Sequence, residues 1–210
     1  MKSRKALAVG TAATAALAMG VSALSVGAAS AAPGTTSLAE VLTSDNNKFD
    51  RNSADFDVVT EAVLAVLAAK PDSPVGLLAD GSVKLTAFVP TDKAFMNLAS
   101  DVTGKKVKNE KKAFKIVASL GIDTVETVLL YHVIPGAKIN ANKASKANGV
   151  KLTTALGSTV KVKVKSHPTR IKLADKDRND KNAKVQIVNI NKGNKQIAHG
   201  ISQVLRPVDL

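Results

Sequence analysis

Leu129-Leu130-Tyr131-His132-Val133-Ile134-Pro135-Gly136 packs a helix end, a buried strand and a turn into eight residues. Upstream, Asp123 followed by Glu126 at the spacing of a capping box predicts the start of a short helix. Downstream, Pro135-Gly136 predicts a turn, because proline presets φ and glycine tolerates the left-handed region, so the strand stops after Ile134. Tyr131 and His132 stand at the joint.

Outward from this joint the chain changes period. Ser37 with Glu40 predicts a capped helix through Leu42, and Thr43 to Ala54 reads as a loop. Asp55 or Asp57 is placed to cap a helix whose Val59, Val63, Val66 and Leu67 recur at helical spacing until Pro71. Val83 to Val89 reads as a strand, after which Pro90 and Thr91 turn the chain into a helix carrying Phe95 and Leu98 inward. Asn109 opens a further helix that Gly121 ends, with Phe114, Val117 and Leu120 along one stripe. Beyond Gly136, Val160, Val162 and Val164 alternate with Lys161, Lys163 and Lys165, a half-buried strand with a lysine face. Ile171 to Leu173, Val185 to Ile190 and Gly200 to Leu205 read as further strands. Helices early and strands late argue for an α+β domain and against a parallel βαβ sheet.

Leu85-Thr86-Ala87-Phe88-Val89-Pro90-Thr91-Asp92-Lys93-Ala94-Phe95, then Tyr131-His132, then Ile197-Ala198-His199-Gly200-Ile201-Ser202-Gln203-Val204-Leu205-Arg206-Pro207 follow one another in the order of three conserved boxes. In that order and spacing the chain resembles the fasciclin (FAS1) domain family over roughly Ser37 to Pro207. The resemblance implies a mostly antiparallel β wedge or sandwich with helices packed on one side, and first and second boxes on neighbouring central strands. The second box departs from the family pattern: Lys195-Gln196 stands for Asn-Gly, Gly200 lowers strand propensity, and Ser202 replaces an acid. Thr86, Phe88, Pro90, Thr91, Asp92, Phe95, Tyr131, His132 and His199 are the box residues, expected to be mainly structural.

Lys2, Arg4 and Lys5 precede an uncharged run from Ala6 to Ala32, the pattern of a secretory signal peptide. Ala29-Ser30-Ala31 suits a signal peptidase, so residues 1–31 read as the leader, 32–36 as a short linker and 37–210 as one domain. The run is rich in Ala, Gly, Ser and Thr, which favours cleavage over a retained span. Cleavage takes three cations and no acid, lowering the formal net charge from +13 to +10. What remains is asymmetric: residues 33–104 hold ten acidic and five basic residues, whereas residues 138–195 hold fifteen Lys or Arg against Asp175, Asp177 and Asp180. Such a dipole favours polyanions as neighbours of the C-terminal half. With no cysteine, neither a disulfide framework nor a lipid-modified cysteine is available.

Motifs for chemistry are sparse. His132 and His199 sit in apolar strands and read as core polar residues bonded to backbone, and His167 before Pro168 reads as solvated. Asp175-Lys176-Asp177-Arg178-Asn179-Asp180 has acids or amides at calcium-loop positions one, three and five. However, Asp180 replaces the turn glycine and Gln186 the bidentate glutamate, so a solvated loop is expected. Nucleophile elbows, phosphate loops and zinc motifs do not occur, and no catalytic residue, cofactor or metal is assigned.

The expected function is that of a secreted, non-catalytic binding or adhesion module at the cell surface or extracellular matrix. One contact would be the edge formed by Tyr131, Pro135 and Gly136, with a surface or matrix protein as partner. The lysine-rich half allows two readings. Lys161, Lys163 and Lys165 guard an edge strand against aggregation, or they join Lys151, Arg170 and Lys172 in a patch for anionic polymers such as wall teichoic acid, an acidic glycan or nucleic acid. Lysine gives point charges with little selectivity. No Trp and a single Tyr argue against stacked recognition of bases or sugars, so no specific nucleic acid, small-molecule substrate or stable membrane span is expected.

Overall fold

A computed structural model describes residues 33–44, 48–165 and 170–209. The expected leader, the first residue of the expected linker, and His167 with Pro168 lie outside the described residues. Residues 33–210 form one compact unit.

The first half is helical for local reasons. In α1 (Leu38–Leu42) the Ser37 hydroxyl accepts the Glu40 N–H at 3.1 Å while Glu40 accepts the Ser37 N–H at 2.6 Å, the expected capping box. The apolar stripe of α2 (Asp57–Ala69) buries Val58, Val59, Ala62, Val63 and Val66, and a 3-10 turn at Pro74–Leu78 leads to β1 (Leu85–Pro90). Then come α3 (Asp92–Thr103), α4 (Glu110–Ala118) and α5 (Ile122–Tyr131). The Asn109 side chain accepts the Lys112 N–H at 2.8 Å and starts α4, as its position predicts. The capping box predicted at Asp123 and Glu126 does not form. Gly121 is the N-cap of α5 without a side-chain bond, and Asp123 and Glu126 turn instead to the Lys70 ammonium at the end of α2.

After β2 (Val133–Pro135) and α6 (Ala141–Ser145), the chain forms β3 (Lys151–Thr153), β4 (Thr159–Val164), β5 (Ile171–Ala174), β6 (Ala183–Ile190) and β7 (Gln196–Ile201). The seven strands make one sheet in the order β2-β1-β7-β6-β5-β4-β3. All neighbours are antiparallel except β1 and β7, which run parallel from Leu85↔Gln196 to Pro90↔Ile201. The architecture is the α+β wedge that the boxes imply, with its first and second boxes on adjacent strands. Every residue of β1 and β7 is buried, because these strands have a core on either face. Leu85, Ala87 and Val89 pack with the helices, whereas Phe88 joins Tyr131, Ile134, Val160, Val162 and Leu173 in a second cluster.

Two expectations about strands change. The last strand is Gln196–Ile201, four residues earlier at its start than Gly200, because Gln196 to His199 pair with Leu85 to Phe88. β4 is an interior strand, since β3 covers it through Lys151↔Lys161, Leu152↔Val160 and Thr153↔Thr159. Guarding an edge therefore does not account for Lys161 and Lys163.

Candidate functional site

The three boxes meet at His132. Its carbonyl accepts the Phe88 N–H at 2.9 Å, its Nδ1 lies 2.7 Å from the Val128 carbonyl, and its Nε2 accepts the Leu205 N–H at 2.9 Å. The Leu205 donor fixes the tautomer: Nδ1–H donates to Val128. Burial pulls the imidazole down to about 4, against the opposing effect of the Val128 bond, so it is neutral at pH 7. His199 stacks on Phe88 with ring centroids 6.0 Å apart, and its Nε2 lies 2.8 Å from the Ile139 carbonyl. Burial lowers its pKa as well. His132 is 4% and His199 1% exposed, so neither presents a base to solvent.

The neighbouring box residues are also internal. Thr86 is a clamp: its hydroxyl donates to the Ala137 carbonyl at 2.7 Å and accepts the Ile139 N–H at 2.8 Å. Thr91 is the N-cap of α3 without a side-chain bond, and Phe95 is buried against the helical layer. Tyr131 is 0% exposed and its hydroxyl donates to the Thr159 carbonyl at 3.0 Å. Burial pushes its phenol up to about 12. Placing Tyr131 on an exposed contact edge is thus corrected: its ring is consumed by the second core cluster, and only Pro135 and Gly136 of that edge meet solvent.

Three polar residues at the second box take roles that sequence reasoning did not assign: Gln196 and Ser202, noted there only as departures from the family pattern, and Arg206. Gln196, fully buried, accepts the Leu38 N–H at 2.7 Å and donates to the Leu77 and Asp80 carbonyls at 2.8 and 2.7 Å, tying α1 and the loop before β1 to β7. Ser202, where the family carries an acid, accepts the Lys184 N–H at 2.9 Å and continues the β6 pairing. Arg206 gathers the acids of the loop expected to be solvated. Its guanidinium lies 2.8 Å from Asp101, 3.4 Å from Asp177 and 3.6 Å from Asp180, and its N–H donates to Asp175 at 2.9 Å. Asp177 is consequently buried, not solvated. Burial raises the Asp175 carboxyl to about 6 despite the Arg206 N–H.

The cations, by contrast, face outward together. In β4 the valines point inward and Lys161 and Lys163 outward. Register then places Lys151 opposite Lys161, Lys163 opposite Lys172, and Lys172 opposite Lys184. Lys165 and Arg170, joined by a 3.4 Å backbone bond, continue the same β4–β5 pair. All six basic residues singled out from the sequence thus share one sheet face, with Lys184 as an addition. Two shallow grooves cross it, one lined by Lys151, Lys161 and Lys163, the other by Lys165, Arg170, Lys172 and Lys184. Like charges directly opposite across strands are destabilising, so folding alone does not select this arrangement.

Comparison with known proteins agrees with the fold and the boxes. The fasciclin domain family model matches residues 60–207, and the chain belongs to the fasciclin domain family. Among solved structures, the chain is similar to a FAS1 domain pair from the insect cell adhesion molecule fasciclin I. The TM-score is 0.50 with 18% identity, over 75% of this chain and 48% of that one. The match spans about half the length of that pair. Comparison with curated protein sequences gave no match. Among the described residues no helix is long and apolar enough to cross a membrane.

Proposed function

We propose that the chain is a secreted, non-catalytic adhesion-type module of the cell surface or extracellular matrix whose contact surface is the cationic face of β3 to β6, taking an anionic polymer. The observation that carries this reading is the facing of Lys163, Lys172 and Lys184 across three strands where no sheet edge needs protection. Family membership supports the adhesion class, and the buried, backbone-bonded histidines support a structural role for the boxes. Lysine heads attract by long-range charge, so binding is weakly selective and screened over a Debye length of about 8 Å at physiological salt. A second reading rests on β2: it ends the sheet with Pro135 and Gly136 in solvent, an edge on which a surface protein can dock.

Retention on purified anionic envelope polymer and on envelope protein, at low and high salt, separates the two. Polymer retention that collapses with salt and is lost in a Lys161→Glu, Lys163→Glu, Lys172→Glu variant supports the cationic face. Salt-independent retention on protein that survives this variant overturns it in favour of the β2 edge.

A further inference from the structure

Three helices begin with an acid: Asp57 in α2, Asp92 in α3 and Glu110 in α4. The fold brings these starts together, so that one carboxylate oxygen from each lies within 4.8 Å of the other two. The residues are 2%, 0% and 3% exposed. Asp50, Asp55 and Asp57 form an adjoining trio with the same spacing.

Helix ends explain part of this. Asp92 Oδ1 accepts the Val58 N–H at 2.9 Å and thereby caps α2 from another helix, and the Asp50 N–H donates to Glu110. The remainder is unexplained by capping. Glu110 Oε2 and Asp92 Oδ2 are both buried with no hydrogen-bond donor among the described residues. Among the described residues no ion pair reaches Asp92 or Glu110. Buried acceptor oxygens left without a donor on Glu110 and Asp92 call for a positive partner at this point.

We infer that Asp57, Asp92 and Glu110 form a buried site for one hard divalent cation of calcium's size, with Asp55 and Asp50 flanking it. Calcium sits about 2.3–2.6 Å from its oxygens, so carboxylate oxygens that all lie within 4.8 Å of one another can share one such ion. Three carboxylates without nitrogen or sulfur favour a hard ion over zinc. Magnesium keeps several waters in a strict octahedron, for which side chains this enclosed leave little space. The bound ion would clip the segment before α2 to the starts of three helices, independently of how the module binds its partner.

The test uses the full chain stripped with EDTA. Equilibrium dialysis against calcium chloride, with magnesium chloride in parallel, counts bound ions, and thermal melting reads the stability change. The expected result is one calcium per chain and a Tm increase of roughly 5 °C or more at saturating calcium. Glu110→Gln supplies an amide donor to the orphaned neighbours. It should melt at or above the metal-free wild type yet lose the calcium-induced shift, while the exposed Asp72→Asn control keeps it. Should Glu110→Gln fail to fold, Asp57→Asn takes its place and the wild-type stoichiometry still decides. Less than a tenth of an equivalent bound at millimolar calcium, or equal binding by wild type and Glu110→Gln, overturns the site.

Discussion

Replacing His132 by Gln isolates a single proton. The amide retains a donor and an acceptor near Val128 and Leu205 but does not titrate. The unfolded chain takes up the His132 proton near pH 6.5 and the folded chain only near pH 4. Between these values the unfolded state binds more protons, so the His132 contribution to stability falls as pH falls. A separation of 2.5 units at about 1.4 kcal/mol per unit gives about 3 kcal/mol lost between pH 7 and pH 4. Other buried groups oppose it: Asp92 and Asp175, raised to about 8 and about 6, favour the folded state as pH falls. They cancel when wild type and variant are compared at each pH. Urea denaturation followed by circular dichroism at pH 7, 5.5 and 4 reads the difference. At pH 7 the variant should be less stable by about 1–3 kcal/mol, the range for disturbing buried hydrogen bonds. The gap should close or reverse by about 3 kcal/mol at pH 4. A gap that stays constant across this range refutes the neutral, buried His132 and the bond assignment that rests on it.

Gly200→Ala tests close approach: its Cβ would meet Ile187 Cβ at 2.9 Å and Phe56 Cζ at 3.1 Å, so a loss of about 1–3 kcal/mol in chemical denaturation is expected. Arg206→Met removes the cation facing Asp101, Asp177 and Asp180. With Asp177 left as a buried charge, a loss of about 3–5 kcal/mol at pH 7 is expected, and no loss contradicts the ion web. Lys172→Glu turns two repulsive cross-strand pairs into attractive ones. The variant should gain about 1 kcal/mol at low salt, less at high salt, in thermal melts.

What could be read from the sequence was what is local. The Ser37–Glu40 box, the Asn109 cap and the alternating valines and lysines of β4 all act within a few residues, and the structure contains each of them. The boxes carried the fold because they already encode which strands lie together. The rest depends on partners far apart in the chain. Gln196 bonds Leu38 and Leu77 at separations of 158 and 119 residues, and no periodic signal announces such bonds. Lys161 looked like an edge guard because β3 is only three residues long and has too little pattern to reveal itself as a cover. Asp175 to Asp180 reads in sequence as a solvated loop with acids at calcium-loop spacing, yet Arg206 at the end of the second box pairs with Asp177 and Asp180. Asp57, Asp92 and Glu110 went unnoticed as a group because each begins a different helix.

The salt dependence of binding tests the cationic face most directly. Dissociation constants for a defined polyphosphate, measured between 50 and 300 mM NaCl, give a log-log slope that counts displaced counterions. With each contact on a flexible polyanion worth about 0.7 of a unit, the wild type is predicted to show a slope of at least 3. The Lys161→Glu, Lys163→Glu, Lys172→Glu variant should lose at least 2 units of that slope. Equal slopes for the two proteins, or binding indifferent to salt, would contradict the account.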